Sequence, residues 1–154
     1  MATGYELVLE LTINAPREKV YRCWTDPELM VKWFTPKPWT TVKVERDLRP
    51  GGGSLIIMRS PEGQEFPNPG IYLEVVPNEK IVFTDAFTAG WIPKDGAPFM
   101  VAEVTFDDAA PGKTKYRAVV RHWTAEARDQ HEKMGFHPGW TKAAEQLEEV
   151  AQTI

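Results

Sequence analysis

Cys23 is the single cysteine among 154 residues, so no thiol is present for it to pair with. A disulfide framework is thereby excluded, and a reducing compartment is the simplest reading, with Cys23 filling core inside a helical pattern. Histidine is nearly as scarce: the chain has 3, and two of them, His131 and His137, fall in one stretch, HEKMGFHPGW at 131 to 140. Zinc needs three or four convergent ligands, but these two flank a glycine-containing break and nothing nearby completes a set. The HExxH pattern is missing as well, because Lys133, Met134 and Gly135 follow Glu132. Neither a metal nor another cofactor is expected. Positive charge is also in short supply, with 18 Lys and Arg against 22 Asp and Glu, a net charge of -4 and a pI near 5.4. Such a chain has no basic face to neutralise phosphates, so nucleic acid is not an expected partner. No run approaches the ~18 apolar residues of a membrane span, and the N-terminus lacks a basic region followed by an apolar block. No membrane insertion and a cytoplasmic localisation are therefore expected. With no repeat, low-complexity tract or linker, residues 1–154 read as one domain, 42% hydrophobic and 26% charged, large enough to bury roughly 70% of its extended-chain surface.

What is present alternates. From Tyr5 to Ile13 the odd positions are apolar while Glu6, Glu10 and Thr12 fall between them, the period-two signature of a half-buried strand. Two short helices follow. The first opens at Pro16 and presents Val20, Cys23 and Trp24; the second has Asp26 as N-cap, Pro27 next, and Leu29, Met30 and Trp33 on its apolar side. Neither is long enough to persist alone. Val42 to Leu48 and Leu55 to Arg59 read as a hairpin about RPGGGS at 49 to 54, whose glycines supply positive φ. Further strands are expected from Gly70 to Val76, Lys80 to Phe87, Met100 to Phe106 and Lys113 to Trp123, joined by turns short enough to make neighbours antiparallel.

The chain ends in a helical stripe of Trp140, Ala143, Ala144, Leu147, Val150 and Ala151, with Lys142, Glu145, Gln146, Glu148 and Glu149 outside it. The stretch at 131 to 140 is then a junction: Gly135 ends a helical turn in a left-handed conformation, and Pro138 sits in the first turn of the terminal helix. Strand, two short helices, about six strands and a long helix make an α+β fold. A curved antiparallel sheet gripping the C-terminal helix buries both apolar surfaces.

The stretches LTINAPREKVYRCWTDPELMVKWF (11 to 34), DLRPGGG (47 to 53), GIYLEV (70 to 75), IVFTDAF (81 to 87) and MGFHPGW (134 to 140) carry a resemblance. In this order they resemble the bacterial homologues of the activator of the heat-shock-protein-90 ATPase. That family belongs to the helix-grip, START-like superfamily, which also holds lipid-transfer domains, birch-pollen-allergen-type proteins and aromatic polyketide cyclases. The resemblance spans residues 5 to 150 or so, and implies a sheet of seven strands or so around the terminal helix, with a cavity between them that often takes an apolar ligand. Activity does not follow from it, because the superfamily ranges from carriage to cyclisation, hydrolysis and co-chaperone work.

Parity assigns the faces. Ile81, Phe83, Asp85 and Phe87 share the inner face of one strand, Met100, Ala102, Val104 and Phe106 that of the next, and Thr114, Tyr116, Ala118, Val120 and His122 that of the last, with Asp85 roughly beside Ala102 and Ala102 roughly beside Ala118. Asp85 either pairs with a backbone amide or an arginine such as Arg59, or is turned outward by a bulge in the strand, or, with its pKa raised by apolar walls, orients a ligand or exchanges a proton. His122, at a strand end, caps or fills core, or joins that chemistry. Large apolar residues also crowd the connections: Trp33, Phe34 and Trp39, then Phe87 and Trp91, then Phe136 and Trp140. Converging at the open end of a grip, they would rim an entrance, with WIPKDGAPF at 91 to 99 as a lid-like loop.

The expected ligand-binding set is therefore Trp33, Phe34, Trp39, Met58, Tyr72, Phe83, Asp85, Phe87, Trp91, Met100, Ala118, His122, Phe136 and Trp140. The expected partner is a small hydrophobic or aromatic molecule, carried, sequestered or sensed. An enzyme of the cyclase, dehydratase or hydrolase kind, drawing acid–base chemistry from Asp85, His122 or Tyr72, is the alternative, although no catalytic constellation is recognisable. A co-chaperone-like interaction module is the third reading, and homodimer formation stays open.

Overall fold

The computed structural model describes residues 4–154. Strand β1 (Glu6–Ile13) leads into helices α1 (Arg17–Thr25) and α2 (Pro27–Met30). Five strands follow, β2 (Thr40–Arg46), β3 (Gly53–Arg59), β4 (Glu65–Val76), β5 (Lys80–Thr84) and the two-residue β6 (Phe87–Thr88). The chain then runs through β7 (Ile92–Pro93), β8 (Val101–Ala110), β9 (Lys113–Arg121), α3 (Ala125–Lys133) and α4 (Phe136–Ala151). Seven strands make one antiparallel sheet in the order β1-β9-β8-β5-β4-β3-β2, while β6 and β7 form a separate small hairpin. The curved sheet with helices on its inner face is the helix-grip fold that the sequence predicts.

Local chemistry sets the helix ends. Asp26 caps α2 by accepting from the Glu28 N–H at 2.9 Å, with Pro27 in the first turn as expected. Pro16 is the N-cap of α1 rather than its first helical residue. At the junction, Gly135 has φ 99° and separates α3 from α4, and Pro138 falls in the first turn of α4. Helix α3 itself is longer than the single turn expected there; Thr124 caps it through the Ala127 N–H at 3.0 Å.

The parity argument holds on the inner face. Ile81, Ala102, Val104, Phe106, Ala118 and Val120 are fully buried together with Val20 and Cys23 of α1 and Leu147 and Ala151 of α4. Burial pushes the Cys23 thiol up to about 11, as befits a core filler. On the outer face Arg121 of β9 reaches Glu6 of β1 at 3.0 Å and Glu103 of β8 at 3.1 Å, a charge row across three adjacent strands.

Four expectations are corrected. The register lies two residues from the expected one: Phe83, not Asp85, faces Ala102, and Ala118 faces Val104 while Ala102 faces Val120. Strand β5 stops at Thr84, so Asp85 lies beyond it, and the chain through Phe87 leaves the sheet to form the β6–β7 hairpin. Strand β4 starts at Glu65 rather than Gly70, through Pro67 and Pro69. There β4 pairs only with β3, since pairing to β5 begins at Ile71. Two prolines two residues apart turn the same way, and where one side of the strand has no neighbour their missing N–H groups break no ladder. Finally, Gln146 is buried, 6% exposed, instead of outside the helical stripe. Its side-chain amide donates to the Trp33 and Thr35 carbonyls at 2.8 and 3.0 Å, and its oxygen accepts from the Lys37 N–H at 3.0 Å. This one side chain satisfies three backbone groups of the connection after α2 and fastens it to α4.

Candidate functional site: a hollow between sheet, terminal helix and strap

Residues 85 to 100 form a strap across the inner side of the sheet, built on the β6–β7 hairpin. Asp85 holds its two ends together. Its carboxylate accepts the Phe99 N–H on both oxygens at 2.9 Å and the Met100 N–H at 3.0 Å, and pairs with Lys94 Nζ at 2.8 Å. Thr84 adds a hydrogen bond from its hydroxyl to the Met100 carbonyl at 2.8 Å. The far tip of the hairpin rests on the glycine-rich turn before β3. Gly51 has φ 79°, and a Cβ there would run into the Trp91 indole, so glycine answers both the turn and the close approach.

Beneath the strap lie two adjoining hollows, of about 260 and about 290 Å³. Phe34, Met58, Asn68, Phe99 and Met100 line both. The first extends towards α4, between Trp24 and Trp33 on one side and His131, Trp140 and Ala143 on the other, with Tyr116 of β9 in its wall. The second runs along β3, β4 and β5 past Ile56 and Phe83 to Asp85 and Lys94. The Trp24 ring packs on Trp33, Phe34 and Phe83 with centroids 5.1, 5.9 and 5.6 Å away, which makes one aromatic wall. Trp33 is fixed by donating its indole N–H to the Cys23 carbonyl at 2.9 Å, and Trp24 by donating its own to the Tyr116 hydroxyl at 3.0 Å. Full burial raises the Tyr116 pKa, so the phenol keeps its proton.

Of the expected residues, Trp33, Phe34, Met58, Met100 and Trp140 line the first hollow, and Phe34, Met58, Phe83, Asp85 and Met100 line the second. The others lie elsewhere. Trp39 is 36% exposed and packs on Phe66 with centroids 5.5 Å apart. Trp91, at 52% exposed, sits on the outer tip of the strap against Phe87. Ala118 and Phe136 are core. Tyr72 is buried under the Arg46 guanidinium, 5.7 Å from its ring, and burial outweighs that cation in raising its pKa. His122 stands behind His131 rather than in the wall. The aromatic-bearing connections were expected to converge as a rim; instead their aromatics divide among core, hollow and outer surface.

Several residues of the lining were not expected, among them Trp24, Asn68, Phe99, Tyr116 and His131. Tyr116 belongs to the inner parity set, Phe99 ends the expected lid, and Asn68 sits between the two prolines that hid its strand. His131 drew attention only as a metal ligand. Its Nδ1 lies 2.9 Å from His122 Nε2, whereas His137 Nε2 turns away towards the Val8 carbonyl at 3.3 Å. Burial, with His122 adding to it, holds His131 down to about 4. Asp85, His122 and Tyr72, the groups considered for acid–base chemistry, point to three separate sets of partners.

A sheet gripping a terminal helix over an aromatic hollow, bordered by a strap, defines the protein as a helix-grip domain. Residues 14–152 match the family model of the Activator of Hsp90 ATPase homolog 1-like protein, and the chain belongs to that family. A solved structure of a protein from Nitrosomonas europaea is similar at 38% identity and TM-score 0.93, covering 99% of this chain and 97% of that one. A protein from Chromobacterium violaceum is similar at 26% identity and TM-score 0.76, over 94% of this chain and 96% of its own. A same-family protein from Aeromonas hydrophila, at 20% identity and TM-score 0.72 over 96% and 92% of the two chains, shares the fold. No curated protein matches the chain. Among the described residues, no helix is long and apolar enough to cross a membrane.

Proposed function

We propose that the protein binds a small hydrophobic or aromatic molecule in the hollow under the strap, and carries, sequesters or senses it. The observation that supports this reading is the wall itself. Side chains from α1, the connection after α2, β3, β4, the strap, β9, α3 and α4 converge on one aromatic space, and the strap bordering it is tied at its base by Asp85. Enclosure by aromatic and aliphatic walls with few polar groups is what a small apolar ligand requires. Burial of such a ligand contributes about 25 cal/mol per Å² of apolar surface, enough for micromolar affinity from a two-ring molecule.

The test is a titration with N-phenyl-1-naphthylamine, a neutral dye whose fluorescence rises in apolar surroundings. One saturable site is expected. Ala143→Phe, which places a ring in the first hollow, abolishes binding while the protein stays folded. No saturable binding, or binding that ignores Ala143→Phe, counts against the proposal. The family description favours a second reading, contact with a chaperone ATPase. It predicts that adding the protein changes the ATPase rate of an Hsp90-type chaperone; an unchanged rate removes it.

A further inference from the structure

His122 and His131 form a relay whose hydrogen positions follow from their partners. His122 is 3% exposed, and its Nδ1 lies 2.9 Å from the Tyr5 carbonyl oxygen. A carbonyl oxygen only accepts, so His122 Nδ1 carries a hydrogen. In the neutral tautomer that carries this N–H, Nε2 of His122 is a lone pair. The atom facing it at 2.9 Å, Nδ1 of His131, must therefore donate. His131 has then used its own N–H, and its Nε2 is a bare acceptor with no partner among the described residues. The ring is 8% exposed and is clamped by Phe99 and Phe136, with centroids 4.6 and 5.2 Å away. Burial keeps it neutral at pH 7.

His131 is part of the wall of the first hollow, which no Asp, Glu, Lys or Arg lines. An ionised ligand would find no countercharge there and would lose its hydration. An apolar ligand with a hydroxyl or N–H group would instead meet an acceptor held in place from behind. Histidine fixed in this way by a second hydrogen bond is pre-organised, and its preference for a donor does not depend on ligand reorganisation.

Resting on the ligand-binding reading above, we infer that the first hollow selects a neutral aromatic molecule bearing a hydrogen-bond donor, such as a phenolic hydroxyl, which donates to Nε2 of His131.

Two measurements test the inference. Long-range proton–nitrogen correlation spectra of the wild-type protein are expected to show His131 in the Nδ1–H form and His122 likewise; an Nε2–H form of His131 overturns it. Affinities for 2-naphthol, naphthalene and 2-methoxynaphthalene are then compared. The naphthol should bind about three- to tenfold tighter than naphthalene, the gain of one buried hydrogen bond. The methoxy compound, which accepts but cannot donate, should side with naphthalene. His131→Phe removes the preference and leaves naphthalene binding in place. Equal affinities for the three overturn the inference while leaving the cavity reading intact, and a methoxy compound that matches the naphthol overturns it in favour of the Tyr116 hydroxyl. Failure of all three to bind overturns both readings.

Discussion

Replacing Asp85 by alanine should open the strap without unfolding the sheet. The carboxylate accepts two backbone N–H groups, of Phe99 and Met100, and meets Lys94 Nζ at 2.8 Å. Hydrogen bonds from neutral donors to a charged acceptor contribute about 1.5–3 kcal/mol each, and both amides are only half-buried, so water recovers part of the loss. The Lys94 side chain is 39% exposed, which puts its pair with Asp85 at the low end, under about 1 kcal/mol. Together these amount to about 3 kcal/mol of local stability, equivalent to about two orders of magnitude in an opening equilibrium. Native-state hydrogen exchange reads this directly. The Phe99 and Met100 amides should exchange about a hundredfold faster in Asp85→Ala, while those of Val104 and Ala118 in the sheet change little. Asp85→Asn should fall between, since its amide keeps one acceptor and turns a donor towards its partners. Unchanged exchange at Phe99 and Met100, or equal acceleration throughout the sheet, refutes the assignment of Asp85 as the tie of the strap.

Other outcomes follow from the same contacts. Gln146→Leu keeps the volume but strands two carbonyls and one N–H of the connection after α2, and should lower stability by about 3 kcal/mol in urea unfolding. His131 takes a proton near 4 when folded against 6.5 when free, so below pH 6.5 the unfolded chain binds more protons than the folded one. The stability present above 6.5 is therefore lost as pH falls towards 4, by about 3 kcal/mol, and His131→Phe should flatten that part of the profile measured by urea midpoints.

How far the sequence speaks depends on what each pattern encodes. Period-two alternation names a face, so the inner residues of β5, β8 and β9 were legible down to Ala102, Ala118 and Tyr116. It does not say where a strand stops, and assigning Asp85 and Phe87 to β5 shifted the register by two residues, while of the readings open for Asp85 the pairing with backbone amides is the one the contacts show. Pro67 and Pro69 suppress the signal of a strand that a single neighbour is enough to build. Gln146 looked like an exposed residue because its polarity is visible along the helix, while the three backbone groups it satisfies come from over a hundred positions away. Helix α3 was hard to see for a related reason: its one buried residue is His131, so it has no apolar stripe to reveal it. The hollow shares this limit. Phe34, Met58, Trp140 and Phe83 are apolar residues that any core would take, and only the distance between sheet and α4 separates wall from filling.

The most direct test of the ligand-binding account is an X-ray structure of crystals grown with N-phenyl-1-naphthylamine. The account predicts density for the dye under the strap, between Phe99 and Trp140 and against Trp33. Density confined to the outer surface, or Phe99 and Trp140 closed together over a filled interior, would contradict it.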